Sequence, residues 1–521
     1  MVPVKGEVVV ANGNVAKSQE KGRVARQQKA KEIKRQKRSK NIGIALASLQ
    51  IIASIVFVVA LVMLNMLPTK YVAILVSLLV LLGVLIMIGQ IKSKKNAIAG
   101  KMLSLVLTIV LSVGAYYLFQ AGKAVEEISG ESVKVDNMVV AVLKEDAAET
   151  IEDAADYTFG VQYTMKGDEV RTAITNIEEE LGASIDVSHE YTNMAEQATA
   201  LQNGEVQAII YNSAFAGILE ETNPDYAEQI KIIYTHDIET KLEIKEEVKP
   251  VEVKDETFTV YISGIDVYGP ITTNSRSDVN IIAQVDPATH EVLLVTTPRD
   301  FYVEFPNVTG GAKDKLTHAG IYGVDCSMDT LEALYNTEID FYARVNFTSL
   351  IEMVNALGGI DAYSEYAFTT NGGSLTVHEG TNHLNGTQAL AFSRERYNVP
   401  GGDNQRGKNQ QAVIEAMIQK AISPAIITGA SGMLESVSDN VDTNMSTEQI
   451  QELIKNQIDE GASWNITSVA ASGTGSHDYC FSYAGGPLYV MIPDQAVVDG
   501  IAQQMKGMET SSAEGKEATE E

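Results

Sequence analysis

Cysteine is nearly absent. The 521-residue chain has two, Cys326 and Cys480, with no CxxC and no Cys/His cluster. That excludes a zinc site of the usual ligand spacing. The two thiols either form a bridge or are two unrelated buried side chains. Aromatic residues are missing from residues 1–40, where 12 Lys and Arg against three acids give a charge of +9. Without rings to stack bases, a basic head is a weak platform for nucleic acid. It reads instead as a topology signal that also touches anionic lipid, so nucleic acid is not an expected partner. Acidic residues are missing from residues 41–120, which carry five lysines. The net charge is −28, so everything after residue 120 carries −42. A basic head and an acidic body usually face different compartments. No internal repeat is visible.

What fills residues 41–120 is apolar. The runs Ile42–Leu67, Tyr71–Ile91 and Met102–Phe119 hold no ionisable side chain other than tyrosine. A helix of about 20 apolar residues crosses the hydrocarbon core, so three transmembrane helices are expected. The first run starts too late and is too long for a cleaved signal peptide. Lys92, Lys94, Lys95 and Lys101 crowd the second loop, against Lys70 alone in the first. Positive loops stay inside. The expected topology is therefore a multi-pass anchor in the cell membrane. The N-terminus is cytoplasmic and the rest of the chain is extracellular.

Residues 136–240 read as a small α/β accessory domain. NMVVAVL (137–143) is a buried-strand pattern, residues 168–182 have helical spacing with a glycine stop, and residues 195–212 read as helix, turn, strand. The segment is similar to half of a solute-binding protein, and no candidate site residue falls in it. Residues 239–256, rich in Lys, Glu and Val, form a linker or an edge strand. From Phe258 the texture changes. FTVYISGID is a strand, and residues 278–300 are two strands joined at Pro287. Helical patterns follow at 327–336, 347–358, 385–393, 404–422 and 446–461, with a strand at 340–346. Strands mixed with helices imply an α/β or α+β layered domain over 257–507. The acidic tail, 508–521, is expected to lack structure.

Cations collect in one stretch of this acidic body. SRERYNVPGGDNQRGKNQQ places Arg394, Arg396, Arg406 and Lys408 around a Gly-Gly bend, with Asp403 positioned to cap the following helix. In that helix Arg406 and Gln410 share a face, and Lys408 points elsewhere. Arg276, Arg299 and Lys315 each fall beside a strand end, loop or helix start, as do Asp266 and Asp278. The two carboxylates are either turn residues or a pair at one sheet edge that could hold Mg²⁺ against a phosphate. Arginine binds phosphate oxygens through two parallel hydrogen bonds, which suits a pyrophosphate. The helix face Ile414, Met417 and Ile418 would be plain core or one wall of an apolar groove.

The ordered series SGID, SRSDVNII, TTPRDFYV, KDKLTHA, AFSRERYN and DNQRGKNQQ resembles the LytR-CpsA-Psr family of cell-wall ligases. The likeness is strong over 257–423 and weaker to about residue 505. The three-helix head with an accessory domain resembles the capsule-type subgroup of Gram-positive bacteria. The resemblance implies an extracellular catalytic domain with a central mixed sheet flanked by helices. It implies a phosphotransferase that moves a glycopolymer, capsular or teichoic-acid-like, from a polyprenyl-pyrophosphate carrier to peptidoglycan. Asp266 and Asp278 would then hold Mg²⁺. Arg276, Arg299, Lys315, Arg394, Arg396 and Arg406, with Gln410, would bind the pyrophosphate. Asp278, Arg276, Arg299, Arg394 and Arg396 would carry catalysis. One departure stands out: Asn409 occupies the place where relatives commonly have Arg, so the clamp lacks one charge unless Lys408 replaces it. Two other functions fit parts of the pattern. One is an extracellular sensor or transcriptional attenuator; the other is a protein that only binds or hydrolyses polyprenyl pyrophosphate.

Overall fold

The computed structural model describes residues 8–92, 97–128, 133–241, 251–265, 271–421 and 441–520. The chain divides into two units, Met1–Gly122 and Lys123–Glu521. The first holds α1 (Val8–Leu64), α2 (Thr69–Lys92) and α3 (Ile98–Ile128). Its segments Arg23–Leu64, Thr69–Lys92 and Ile98–Lys123 are long and apolar enough to cross a membrane. Ile52, Leu78, Leu85 and Ile109 point outward, while Gln50, Gln90 and Ser104 are buried among the helices. That arrangement suits a lipid surround, which leaves polar groups no outside partner.

The second unit begins with the accessory domain. Its elements are β1 (Val133–Leu143), β2 (Thr158–Val161), α4 (Gly167–Leu181), β3 (Asp186–Glu190), α5 (Met194–Gln202), β4 (Ala208–Asn212), α6 (Ala216–Thr222), α7 (Tyr226–Gln229) and β5 (Ile230–Lys241). They form a five-stranded sheet in the order β3-β2-β4-β1-β5. The uninterrupted apolar run Met138–Val142 makes β1 central, since both of its faces are covered. Gly182, at φ 64°, ends α4 as the sequence pattern requires. Only residues 239–241 of the Lys/Glu-rich segment belong to the edge strand β5; residues 242–250 lie outside the described part, and residues 251–257 form no strand.

The larger domain starts with β6 (Phe258–Ile265), β7 (Ser277–Asp286), β8 (Glu291–Thr296), β9 (Tyr302–Glu304), β10 (Lys313–Lys315), α8 (Leu316–Tyr322), α9 (Val324–Tyr335), β11 (Phe341–Val345) and α10 (Phe347–Ala356). It continues through β12 (Ile360–Ser364), β13 (Phe368–Thr369), β14 (Thr376–Val377), β15 (Gly380–Leu384), α11 (Gly386–Arg394), α12 (Asp403–Ala421), β16 (Val441–Thr443), α13 (Thr447–Glu460), β17 (Asn465–Ala470), β18 (Gly473–Cys480), β19 (Tyr483–Pro493) and α14 (Gln495–Glu520). The central sheet has the order β16-β11-β6-β7-β8-β17. It is mixed: β6–β11 and β8–β17 are parallel pairs, and β7 runs antiparallel to both of its neighbours. Helices cover both faces, with Ile414 and Ile418 of α12 on Ile281 and Leu294, and α9 with α14 on Ile282 and Val295. The apolar face of α12 is thus core, because Met417 also packs inward, against Phe392 and Val413. Ser446 caps α13 in a capping box with Gln449.

Of the two readings of the cysteines, the unpaired one holds: Cys326 and Cys480 are both free and buried, and burial pushes the Cys326 thiol up to about 12. Two expectations change. Residues 508–520 of the tail read as unstructured lie in α14. The accessory domain is not a separate body, because one hydrophobic core runs through both domains. Phe215, Ile218 and Leu219 pack in the same cluster as Ile321, Tyr483, Leu488 and Val490. The Thr222 and Tyr483 hydroxyls meet at 3.0 Å, and the Val135 backbone pairs with Thr272 and Asn274.

Candidate anion site

Arg276 and Asp278 flank the start of β7, and Arg299 lies in the turn after β8. The antiparallel pairing of β7 with β8 sets those two ends side by side. Arg299 Nη1 donates to Asp278 Oδ2 at 2.6 Å, and Thr317 Oγ1 donates to Oδ1 at 3.1 Å. Burial works to raise the Asp278 pKa, but Arg299, Arg276 and Arg406 together hold it below the usual carboxylate value. Arg406, on α12 and 8% exposed, acts on this carboxylate through its charge. Lys315 precedes the first residue of α8, and its Nζ meets Asp300 Oδ1 at 2.8 Å.

The opening bend folds back as the Gly-Gly pair suggests. Gly401 and Gly402 take φ of 86° and 54°, a region L side chains rarely adopt. Glu395 fixes the bend from within by accepting the backbone N–H groups of Tyr397 and Asn398. Burial raises its pKa, but these bonds outweigh burial and hold it low. The Arg394 guanidinium stacks over the Phe347 ring, 4.2 Å from its centroid, and Arg396 stacks on Tyr397. Arg276, Asp278, Arg299, Lys315, Arg394, Arg396, Arg406 and Gln410 all line one cavity of about 1190 Å³. Val279, Val345, Phe347, Leu350 and Leu390 give it an apolar side. Asp266, the other candidate metal ligand, lies outside the described residues.

Lys408 does not replace the missing charge. Its Nζ pairs with Glu365 at 3.0 Å on the exposed side of α12. Asn409 is buried and donates from Nδ2 to the Phe392 carbonyl, so its position faces α11.

Glu221 escaped the sequence reading. It belongs to α6 of the accessory domain, and its carboxylate accepts from Lys315 Nζ at 2.9 Å and from Arg276 Nη1 at 3.4 Å. Arg299 Nη2 lies 3.5 Å away. Arg276 also donates to the Gly217 carbonyl, and a Cβ at Gly217 would lie 2.5 Å from its Cζ. Nothing local marks Glu221, whose partners lie 55 to 94 residues along the chain. His477 and Tyr489, on the hairpin β18–β19, also line the cavity.

Comparison with known proteins adds a lineage. The LytR_cpsA_psr family model matches residues 227–506. A polyisoprenyl-teichoic acid–peptidoglycan teichoic acid transferase, TagU, of Enterococcus faecalis is 37% identical over 200 residues, 38% of this chain and 65% of the relative. The Bacillus anthracis TagU is 33% identical over 247 residues, 47% of this chain and 77% of the relative. Among solved structures, Bacillus subtilis TagV is 25% identical at a TM-score of 0.43, covering 49% of this chain and 98% of that one. Bacillus subtilis TagU is 27% identical at a TM-score of 0.38, covering 49% and 96%.

Proposed function

Because the chain belongs to the LytR-CpsA-Psr family, we propose that it is a membrane-anchored transferase. It moves a glycopolymer from a polyprenyl-pyrophosphate carrier to peptidoglycan. One observation carries the reading. Six cations from five separate chain segments and the ionised Asp278 line one cavity that also has an apolar side. The cations suit a pyrophosphate and the apolar side suits the first prenyl units. The teichoic acid named for the two TagU relatives is the polymer class this reading favours.

Arg276, Arg299, Lys315, Arg394, Arg396 and Arg406 bind and neutralise the pyrophosphate, and Gln410 adds a hydrogen bond. The acceptor hydroxyl of peptidoglycan attacks the phosphorus next to the sugar. A new oxygen–phosphorus bond forms, the bond to the bridging oxygen breaks, polyprenyl phosphate leaves with that oxygen, and the proton of the hydroxyl passes to solvent. Positioning and charge neutralisation supply most of the rate. Asp278 is an ionised oxygen donor in the same cavity, the donor type that a magnesium ion shared with phosphate takes, and the ion would compete there with Arg299 and Thr317 for its two oxygens. Asp278 would hold the ion with Asp266, and the ion would supply further charge neutralisation. The lysine-rich second loop supports a cytoplasmic N-terminus and an outward-facing catalytic unit.

The full chain in lipid nanodiscs, given lipid-linked oligosaccharide and peptidoglycan fragments with and without Mg²⁺, tests this. Sugar should become bound to peptidoglycan in a Mg²⁺-dependent way. Sugar that stays on the lipid in both conditions rejects it.

A further inference from the structure

The accessory domain places a carboxylate where the proposed reaction needs an anion. Glu221 Oε2 lies 2.9 Å from Lys315 Nζ, and Oε1 lies 3.4 Å from Arg276 Nη1 and 3.5 Å from Arg299 Nη2. These three cations come from three separate segments of the larger domain, and one carboxylate ties them together. The side chain is 22% exposed, and Lys315 is 3% exposed, so water screens the contact little. Glu221 is not on a mobile arm. Ile218 and Leu219, in the same helix, sit in the core shared by both domains, and Thr222 bonds Tyr483. Gly217 lets the same helix lie directly against the Arg276 guanidinium.

We infer that Glu221 is the resident counter-anion of the pyrophosphate site, a specificity-determining residue that the diphosphate displaces on binding. The inference rests on the pyrophosphate reading above. A carboxylate and a phosphate oxygen compete for the same guanidinium and ammonium donors. With no substrate, Glu221 holds Arg276, Arg299 and Lys315 gathered. A ligand must offer more negative oxygens than one carboxylate to take them over. A diphosphate does this better than a carboxylate ligand or a single phosphodiester. After transfer, the returning carboxylate competes with the phosphate of the departing polyprenyl phosphate and so speeds its release.

The test measures inorganic pyrophosphate binding to the full chain in nanodiscs by calorimetry, for wild type and Glu221→Gln, with turnover of lipid-linked oligosaccharide alongside. Glu221→Gln keeps the shape and removes the charge. Pyrophosphate should bind at least about tenfold tighter, the scale of one charge-assisted hydrogen bond. KM should fall, and kcat should fall with it as product leaves more slowly. A merely structural Glu221 would give the opposite sign, because loosened cations bind pyrophosphate more weakly. Unchanged or weaker binding overturns the inference. Glu221→Asp, shorter but still charged, covers the case in which Glu221→Gln does not fold. It should also bind tighter than wild type, by less, and weaker binding again overturns the inference. If wild type itself binds no pyrophosphate, the anion-clamp reading fails and this inference falls with it. Equal binding by wild type and Glu221→Gln removes this inference alone.

Discussion

Arg406 and Lys408 stand two residues apart on α12 and should behave oppositely. Two residues of α-helix turn the side chain by about 200°, which separates the two cations onto different faces. Arg406 is 8% exposed, lines the cavity and helps hold the Asp278 carboxyl low. Lys408 pairs with Glu365, and their side chains are 48% and 41% exposed. Removing a charge-assisted contact to phosphate costs about 1.5–3 kcal/mol, which is a ~10- to 150-fold loss in kcat/KM. An exposed ion pair contributes only about 0–1 kcal/mol, and to stability rather than to catalysis. Arg406→Ala should therefore lose at least about tenfold in kcat/KM. Lys408→Ala should stay within about twofold of wild type, with a slightly lower melting temperature. Initial rates of sugar transfer from lipid-linked oligosaccharide give both numbers. Equal losses at the two positions would refute the reasoning, because Lys408 would then reach the phosphate despite its pairing with Glu365.

Other outcomes follow from the same geometry. Asp278→Ala should abolish transfer while the chain stays folded, with a lowered melting temperature because Arg299 loses its partner; circular dichroism and a transfer assay check both. The folded-state pKa of Asp278 is depressed below its ordinary value of 3.8, so its stabilising contribution is present above about pH 4 and lost as pH falls through the folded value. Acid titration of wild type against Asp278→Asn should show the two stability curves converging below pH 4, and a constant gap would contradict this. Deleting residues 133–241 should unfold the larger domain. Each uncovered apolar side chain costs ~1.5–3 kcal/mol; losing cover over Ile321, Tyr483, Leu488 and Val490 approaches the ~5–15 kcal/mol that holds a domain together. A soluble, cooperatively melting fragment would show otherwise. Protease added to intact protoplasts should digest the chain after α3 and spare the basic head, and survival of the larger domain would contradict the orientation.

Local patterns carried most of the fold. Alternation and apolar runs announced β1, β6, β7 and β8, and helical spacing announced α4, α10, α12 and α13. These signals are confined to a few neighbouring residues, so burial elsewhere does not alter them. Arg276, Asp278, Arg299, Lys315, Arg394, Arg396 and Arg406 were legible because each sits at an element end, where side chains can converge, and because their types suit one anion. The Gly401–Gly402 bend was legible for the same reason, since two glycines allow a backbone that other residues resist. Glu221 was not legible. Its role depends on how two domains dock, and the docking surface is made by Phe215, Ile218 and Leu219 meeting side chains a hundred or more residues away. Nor did composition show that Glu395, in the middle of the cationic stretch, works on backbone N–H groups rather than on a neighbouring arginine. The acidic tail misled because polarity alone does not exclude a helix that continues from Gln495.

The central claim is that the phosphorus next to the sugar travels with the polymer to peptidoglycan. Lipid-linked oligosaccharide labelled at that phosphorus, incubated with the full chain in nanodiscs and with peptidoglycan fragments, tests it directly. The label should appear in a phosphodiester on peptidoglycan, in equal amount to the polyprenyl phosphate released, and Arg406→Ala should suppress both. Label recovered instead as free sugar phosphate in solution, or retained on the lipid while peptidoglycan stays unmodified, would contradict the account.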